Sequence, residues 1–210
     1  MDEIETRRLL VELAGSLFAR GYSVGSAGNI SVHVPDGYLI TPTNSCLGRL
    51  DPTRLSKLDG DFRHMSGDPP SKEVFMHRAF YTARKDAGAV VHLHSTMATA
   101  VTCLPDLDPI NPIPPLTPYF VMRIGRRLPI VAYYRPGNPQ MEAAIHNAAR
   151  NARAVLLANH GPVVCGKTLT DAIYAAEELE EAAKLFITLR GVNARLLTPA
   201  QVDDLVATFG

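Results

Sequence analysis

The chain has 210 residues with 21 basic and 21 acidic side chains and a formal charge of zero; this suits one domain over 1–210 and lacks the electrostatic footprint of a nucleic-acid binder or membrane-surface protein. No apolar run approaches the roughly 18 to 20 residues that cross a bilayer, and the start, MDEIETRRLLVEL, is acidic where a secretory leader is basic, so a cytoplasmic protein is expected. Cys46, Cys103 and Cys165 have no CxxC spacing and point to neither a disulfide framework nor a thiolate zinc site; reduced, mostly buried thiols are expected.

In chain order, Leu10, Leu13, Ala14, Leu17 and Phe18 form a helical stripe within residues 3–20 that stops at Gly21. Ile30, Val32 and Val34 alternate with polar residues, Pro35-Asp36-Gly37 supplies a turn, and Tyr38 to Thr41 returns, which predicts a hairpin. A second hairpin is expected from Arg54–Leu58 and Phe62–Met65 around Asp59-Gly60. Hairpins join only antiparallel strands, so a purely parallel sheet is excluded. A helix follows over about 71–85, a strand over 89–94 and a short helix over 96–104.

PDLDPINPIPPLTPY, with prolines at 105, 109, 112, 114, 115 and 118, reads as a stiff loop. Beyond it come a strand over 128–134, a helix over 140–151, strands over 154–159 and 162–165, and a long helix over 169–190. A last helix starts at Thr198-Pro199, a capping residue followed by proline at the first helical position. Helices interspersed with strands that include hairpins predict an α/β layered domain with a mixed, largely antiparallel sheet. The acidic group Glu177, Glu178, Glu180 and Glu181 reads as a solvated helix face.

The run VVHLHST puts His92 and His94 two apart in a predicted strand, where alternation sends both imidazoles to one face and Leu93 to the other. That spacing suits a shared metal ion, and equally two histidines that meet polar partners at a strand end. His160, in ANHGP at the break after an apolar strand, is a candidate third ligand. Three neutral imidazoles leave an open position on a tetrahedral ion, as at a catalytic zinc. Glu73, in DPPSKE, falls in the first turn of a predicted helix capped by Ser71; it is either a fourth ligand or simply a favourable first-turn anion.

Three small-residue segments, GSAGN (25–29), TPTN (41–44) and Ser71-Lys72, offer backbone amides, hydroxyls and one cation that together suit a phosphate. Each alone also reads as an ordinary turn, and none is a Walker or dinucleotide fingerprint.

The segments GSAGNIS, TPT, PSKE, VVHLHST and NHGPVV, in this order, resemble the class II aldolase and adducin-like family. The longer runs RGYSVGSAGNIS, TPTNSCLGRLDPTRLSKLDG, SGDPPSKEVFMHRAFY, TPYFVMRIG, YYRPG and LLANHGPVVCG are most similar to the branch that decarboxylates 3-oxo-tetronate 4-phosphate. The resemblance implies a three-layer α/β/α fold, a homotetramer with active sites between subunits, and Zn2+ or another divalent metal on His92, His94, His160 and Glu73. It implies Glu73 as catalytic acid/base, Tyr119 as proton donor, and phosphate binding at Gly28, Asn29, Thr43, Asn44, Ser71 and Lys72. Many relatives have glycine where Asn44 stands, and asparagine is the next best residue at positive φ.

The implied reaction is loss of carbon dioxide from a phosphorylated sugar acid through an enediolate, giving dihydroxyacetone phosphate. Its rivals are an aldolase or 4-epimerase acting on fuculose 1-phosphate or ribulose 5-phosphate, and a non-catalytic adducin-like interaction domain. His33, His64, His77 and His146 are given no role; His77, one turn after Glu73, could orient that carboxylate but is read as a packed or surface residue, and no role is assigned to Arg123 or Arg135.

Overall fold

A computed structural model describes residues 2–135 and 138–209; Pro136 and Gly137, which end the YYRPG segment, lie outside them. The strands are β1 (Asn29–Val34), β2 (Gly37–Ile40), β3 (Ser56–Leu58), β4 (His64–Ser66), β5 (Ala89–His92), β6 (Ile130–Val131), β7 (Ala154–Leu157) and β8 (Gly161–Gly166). The helices are α1 (Glu3–Ala19), α2 (Val74–Ala83), α3 (Thr96–Thr102), α4 (Pro118–Ile124), α5 (Gln140–Ala149), α6 (Leu169–Thr188) and α7 (Pro199–Phe209). One sheet runs in the order β4-β3-β2-β1-β5-β8-β7-β6, antiparallel throughout except for the parallel pair β6 and β7. This is the mixed, largely antiparallel sheet that the hairpins require.

Alternation along the central strands divides the core between two faces. Ala89, Val91, Ala154, Leu156 and Val164 join Leu10, Leu17, Val101, Phe120 and Leu179 on one face, under α1, α3, α4 and α6. Val90, Val155, Leu157, Val163 and Cys165 join Met76, Phe80, Met141 and Ile145 on the other, under α2 and α5. The result is a three-layer α/β/α sandwich. Among the described residues no helix is long and apolar enough to cross a membrane.

Local chemistry explains where the elements start. Asp2 accepts the Glu5 amide while the Glu5 carboxylate accepts the Asp2 amide, a reciprocal cap for α1. The second hairpin is shorter than expected. Asp51 caps a 3-10 turn over Pro52–Arg54, and the Asp59 carboxylate accepts the amides of Asp61 and Arg63, so the return strand begins at His64. The expected proline-rich loop ends early too: Thr117 accepts the Phe120 amide and Pro118 takes the first position of α4. Proline is excluded from helix interiors but not from first turns.

Two expectations fail. Glu177, Glu178, Glu180 and Glu181 are a solvated face only at Glu181, which is exposed: they meet Arg20, Thr117, the amides of Met97 and Ala98, and Tyr22 respectively, and Glu180 is buried. Glu177, Glu178 and Glu180 turn toward the side of α6 that packs against α1, α3 and α4, where each carboxylate finds a donor. The three cysteines are unpaired, but only Cys165 is buried; Cys103 is exposed.

Candidate active site

β5 lies between β1 and β8, with Asn29 opposite His92 on one side and Val163 opposite His92 on the other. The strand ends at His92, two residues short of the expected end, yet Leu93 still turns into the opposite core and His94 returns toward His92. His160 stands at the tip of the β7–β8 hairpin, where Asn159 has φ +56° and Gly161 φ +153°. A Cβ at Gly161 would sit 2.3 Å from the Leu93 carbonyl oxygen, so glycine is what lets the tip close against the His94 segment. The Thr99 hydroxyl of α3 donates to the His160 carbonyl at 3.3 Å.

The three rings converge. His92 Nε2 and His160 Nε2 each lie 3.1 Å from His94 Nε2. His92 Nδ1–H donates to the Pro162 carbonyl at 2.9 Å, which leaves its Nε2 lone pair facing the other two rings. His94 has one Nε2, which cannot be both donor and acceptor, so on neutral rings the two contacts can at best share a single hydrogen. A cation satisfies them together. An ion with nitrogens at about 2.0–2.1 Å in tetrahedral array sets them roughly 3.3 Å apart, close to the spacing seen.

Glu73 completes the set. Its Oε2 is 3.6 Å from His92 Nε2 and its Oε1 3.6 Å from His160 Nε2, and the four donor atoms lie within 4.8 Å of one another. Burial pushes His92 down to about 4 and also lowers His94 and His160, so the imidazoles are neutral ligands at neutral pH. Burial acts to raise the Glu73 carboxyl, but the neighbouring imidazoles, His92 foremost, once protonated in acid, and the Asn29 amide outweigh it and hold it below its usual range.

Glu73 immediately precedes α2, which begins three residues later than expected. The Ser71 amide donates to the Thr41 carbonyl and the Thr43 amide to the Pro69 carbonyl, a strap that holds residues 69–71 before Lys72 and Glu73 turn into the helix. Ser71 still accepts the Glu73 amide, at 3.2 Å.

Gly28, Asn29, Thr43, Asn44, Ser71 and Lys72 line one cleft of about 610 Å3, together with Glu73 and His94. Asn44 has φ +56°, so asparagine does adopt the left-handed turn. Gly28 has φ +80°, and a Cβ there would lie 2.9 Å from the His92 carbonyl oxygen. Asn29 differs from expectation: its side chain donates to Glu73 Oε2 at 2.7 Å, leaving one Nδ2 hydrogen for a ligand.

Tyr119 is not brought to the site. It stands in the first turn of α4, 62% exposed, and does not line the cleft. Arg123 is engaged by Asp171 at 3.4 Å and lies over the Tyr174 ring. His77, given no role in the sequence, is fully buried with its Nε2 2.5 Å from Asn29 Oδ1. It is the packed histidine that the sequence suggested, one helical turn after Glu73 and on the same face.

Residues 8–187 match the family described as Class II Aldolase and Adducin N-terminal domain. A 3-oxo-tetronate 4-phosphate decarboxylase of Haemophilus influenzae is 50% identical over 206 residues, 98% of this chain and 98% of that protein. An L-fuculose phosphate aldolase of Escherichia coli is 32% identical over 208 residues, 99% of this chain and 93% of that protein. The crystal structure of YgbL from Klebsiella pneumoniae matches with a TM-score of 0.94 at 49% identity, covering 98% of this chain and 99% of that one. With the histidine cluster, the small-residue cleft and the sheet order all in place, the chain belongs to the class II aldolase and adducin family.

Proposed function

We propose that the chain is a zinc-dependent carboxy-lyase that converts a 3-oxo-tetronate 4-phosphate to dihydroxyacetone phosphate and carbon dioxide. The observation that carries this is the convergence of His92, His94, His160 and Glu73 beside a cleft lined by Gly28, Asn29, Thr43, Asn44, Ser71 and Lys72. An imidazole and carboxylate donor set suits Zn2+. The decarboxylase relative at 50% identity supports the choice of leaving group.

When bound, the cation supplies a Lewis acid that shares the negative charge left on the substrate as carbon dioxide departs, worth several kcal/mol at such sites. The residues of the chain supply position and protons. Thr43, Asn44 and Ser71, with the Lys72 ammonium, hold the C4 phosphate through amides and hydroxyls. Anchoring at that remote end helps hold the C1 carboxylate out of the plane of the C3 carbonyl, so that the breaking bond overlaps the π system. C2 is then protonated by the Tyr119 phenol, or by Glu73 after this carboxylate, ionised at rest, has taken a proton from water. Because Tyr119 lies outside the cleft of its own chain, it serves the site of a neighbouring copy, in a cytoplasmic homotetramer of single-domain subunits with sites between them.

The test is to supply the purified, zinc-loaded protein with 3-oxo-tetronate 4-phosphate and with fuculose 1-phosphate separately, following carbon dioxide and aldehyde release. Turnover of the first supports the reading; turnover of only the second makes the protein an aldolase. Less than one divalent ion per few chains after metal supplementation would favour a non-catalytic interaction domain.

A further inference from the structure

Behind Glu73 runs a single file of buried polar groups. Asn29 Nδ2 lies 2.7 Å from Glu73 Oε2, and Asn29 Oδ1 lies 2.5 Å from His77 Nε2. His77 Nδ1 is 2.7 Å from Ser31 Oγ, and Ser31 Oγ is 2.9 Å from the Tyr81 hydroxyl. Asn29 and Ser31 share one face of β1, while His77 and Tyr81 are one turn apart on α2. All four are buried.

The direction of the file follows from chemistry. An ionised carboxylate only accepts, so the Asn29 amide turns its Nδ2 to Glu73 and its Oδ1 to His77. Oδ1 accepts, so His77 carries its proton on Nε2. Burial pushes His77 down to about 3, so the ring is neutral and Nδ1 accepts. Ser31 therefore donates to Nδ1, and its oxygen accepts from Tyr81. Reversing the amide would place Oδ1 against the carboxylate and N–H against N–H, in a region closed to water.

We propose that Tyr81, Ser31 and His77 are positioning residues that latch the Asn29 amide in this one orientation, thereby fixing Glu73 Oε2 as a hydrogen-bond acceptor and reserving Oε1 for the cation or the transferred proton. The inference rests on the reading of Glu73 as a metal ligand. Partners of this kind, when removed, lower metal affinity about 10- to 100-fold.

Two measurements test it. The first compares His77→Gln, whose amide nitrogen falls at the Nε2 position, with His77→Asn, whose amide falls at the Nδ1 position and cannot reach Asn29. Zn2+ affinity is read by competition with a chromophoric chelator, and apoprotein melting is read alongside. His77→Gln should stay within about threefold of the parent and His77→Asn should lose at least tenfold. A merely structural role would affect both alike, and equal affinities in the two variants would overturn the proposal. The second is 15N NMR of histidine-labelled, unsubstituted protein, which should show one buried ring protonated at Nε2 and bare at Nδ1, with and without Zn2+. The opposite tautomer would overturn the latch whatever the variants do. Failure of the parent to bind Zn2+ would instead count against the metal reading, and the tautomer would still decide the file.

Discussion

Glu180→Ala probes a contact on which the metal-binding segment rests. α3 starts at Thr96, directly after His94 and Ser95, and its N-cap Ser95 makes no side-chain cap. The Glu180 carboxylate, reaching from α6, instead accepts the Met97 amide at 2.7 Å and the Ala98 amide at 2.8 Å. Hydrogen bonds to a charged group contribute about 1.5–3 kcal/mol each, and the helix dipole adds to them. Alanine relieves the burial of a carboxylate but strands two amides in a site where Glu180 is only 9% exposed. A net loss of about 3 kcal/mol follows, or roughly 6–12 °C in melting midpoint for a chain of this size. The buried Ser95 Oγ has no partner among the described residues and is placed to recover about 1 kcal/mol by swinging in as a cap. Ser95→Ala should therefore be nearly silent alone and clearly destabilising in the Glu180→Ala background. Calorimetry of the parent, both single variants and the double variant, at one protein concentration, measures all of this. A Glu180→Ala midpoint within about 2 °C of the parent, or additive effects in the pair, would refute the capping argument.

Gly161→Ala forces a Cβ to 2.3 Å from the Leu93 carbonyl at φ +153°, so it should part His160 from His94; chelator competition should show at least about a tenfold loss of Zn2+ affinity, and parent-like affinity would contradict the hairpin account. Apoprotein stability should fall in acid: burial holds His77 and His92 down to about 3 and about 4 in the fold against 6.5 for a free imidazole, so between about 6.5 and 4 the unfolded chain binds more protons. Each contributes a slope of about 1.4 kcal/mol per pH unit, lost as pH falls and flat above 6.5, and urea melts that stay level down to pH 4.5 would contradict it. Glu73→Gln and Tyr119→Phe should each lose activity, yet a dissociated and reassembled equal mixture should regain about one quarter of the parent's, because random assembly pairs an intact Glu73 with a neighbour's intact Tyr119 that often. A mixture no more active than its components would contradict a Tyr119 supplied by a neighbouring copy, and a fully active Tyr119→Phe would place the phenol outside the chemistry.

What could be read from the sequence follows from how local each cause is. The period-2 and helical patterns gave the strands and helices, because burial on one face is written residue by residue into the chain. The HLH spacing and the NHG break each carried their meaning in a few residues, so the histidine cluster was legible. Element ends were not: β5 stops at His92 because the ladder with β8 runs out, and α2 waits for Val74 because loop 41–43 straps the segment before it. Glu180 was misread, and the role of His77 left open, for the same reason. A carboxylate in an acidic run, or a histidine on an amphipathic helix, acquires its role from a partner 82 or 48 residues away. At Thr117-Pro118 the signal was local and present, but the density of prolines before it masked the start of α4.

The site thus has two mechanically different halves. The three histidines hang from β5 and the tip of the β7–β8 hairpin, where ladders on both sides of β5 fix His92, and Glu73 joins them from the segment before α2. The proposed phosphate half hangs from the loops at 25–29, 41–44 and 69–72, the last two joined by backbone bonds such as Thr43 to Pro69. Neither half distinguishes carboxylate from aldehyde as leaving group, since the charge left on the remaining fragment is the same. The proton count does distinguish them. Retro-aldol cleavage must take a proton from the hydroxyl that becomes the aldehyde and then return one to carbon, whereas a carboxylate leaves already deprotonated and the carbon needs only a single donor. A lyase of the second kind can dispense with one base, so the leaving-group preference belongs to whatever faces the open side of the cleft, on loops or a neighbouring copy, and not to His92, His94, His160 and Glu73.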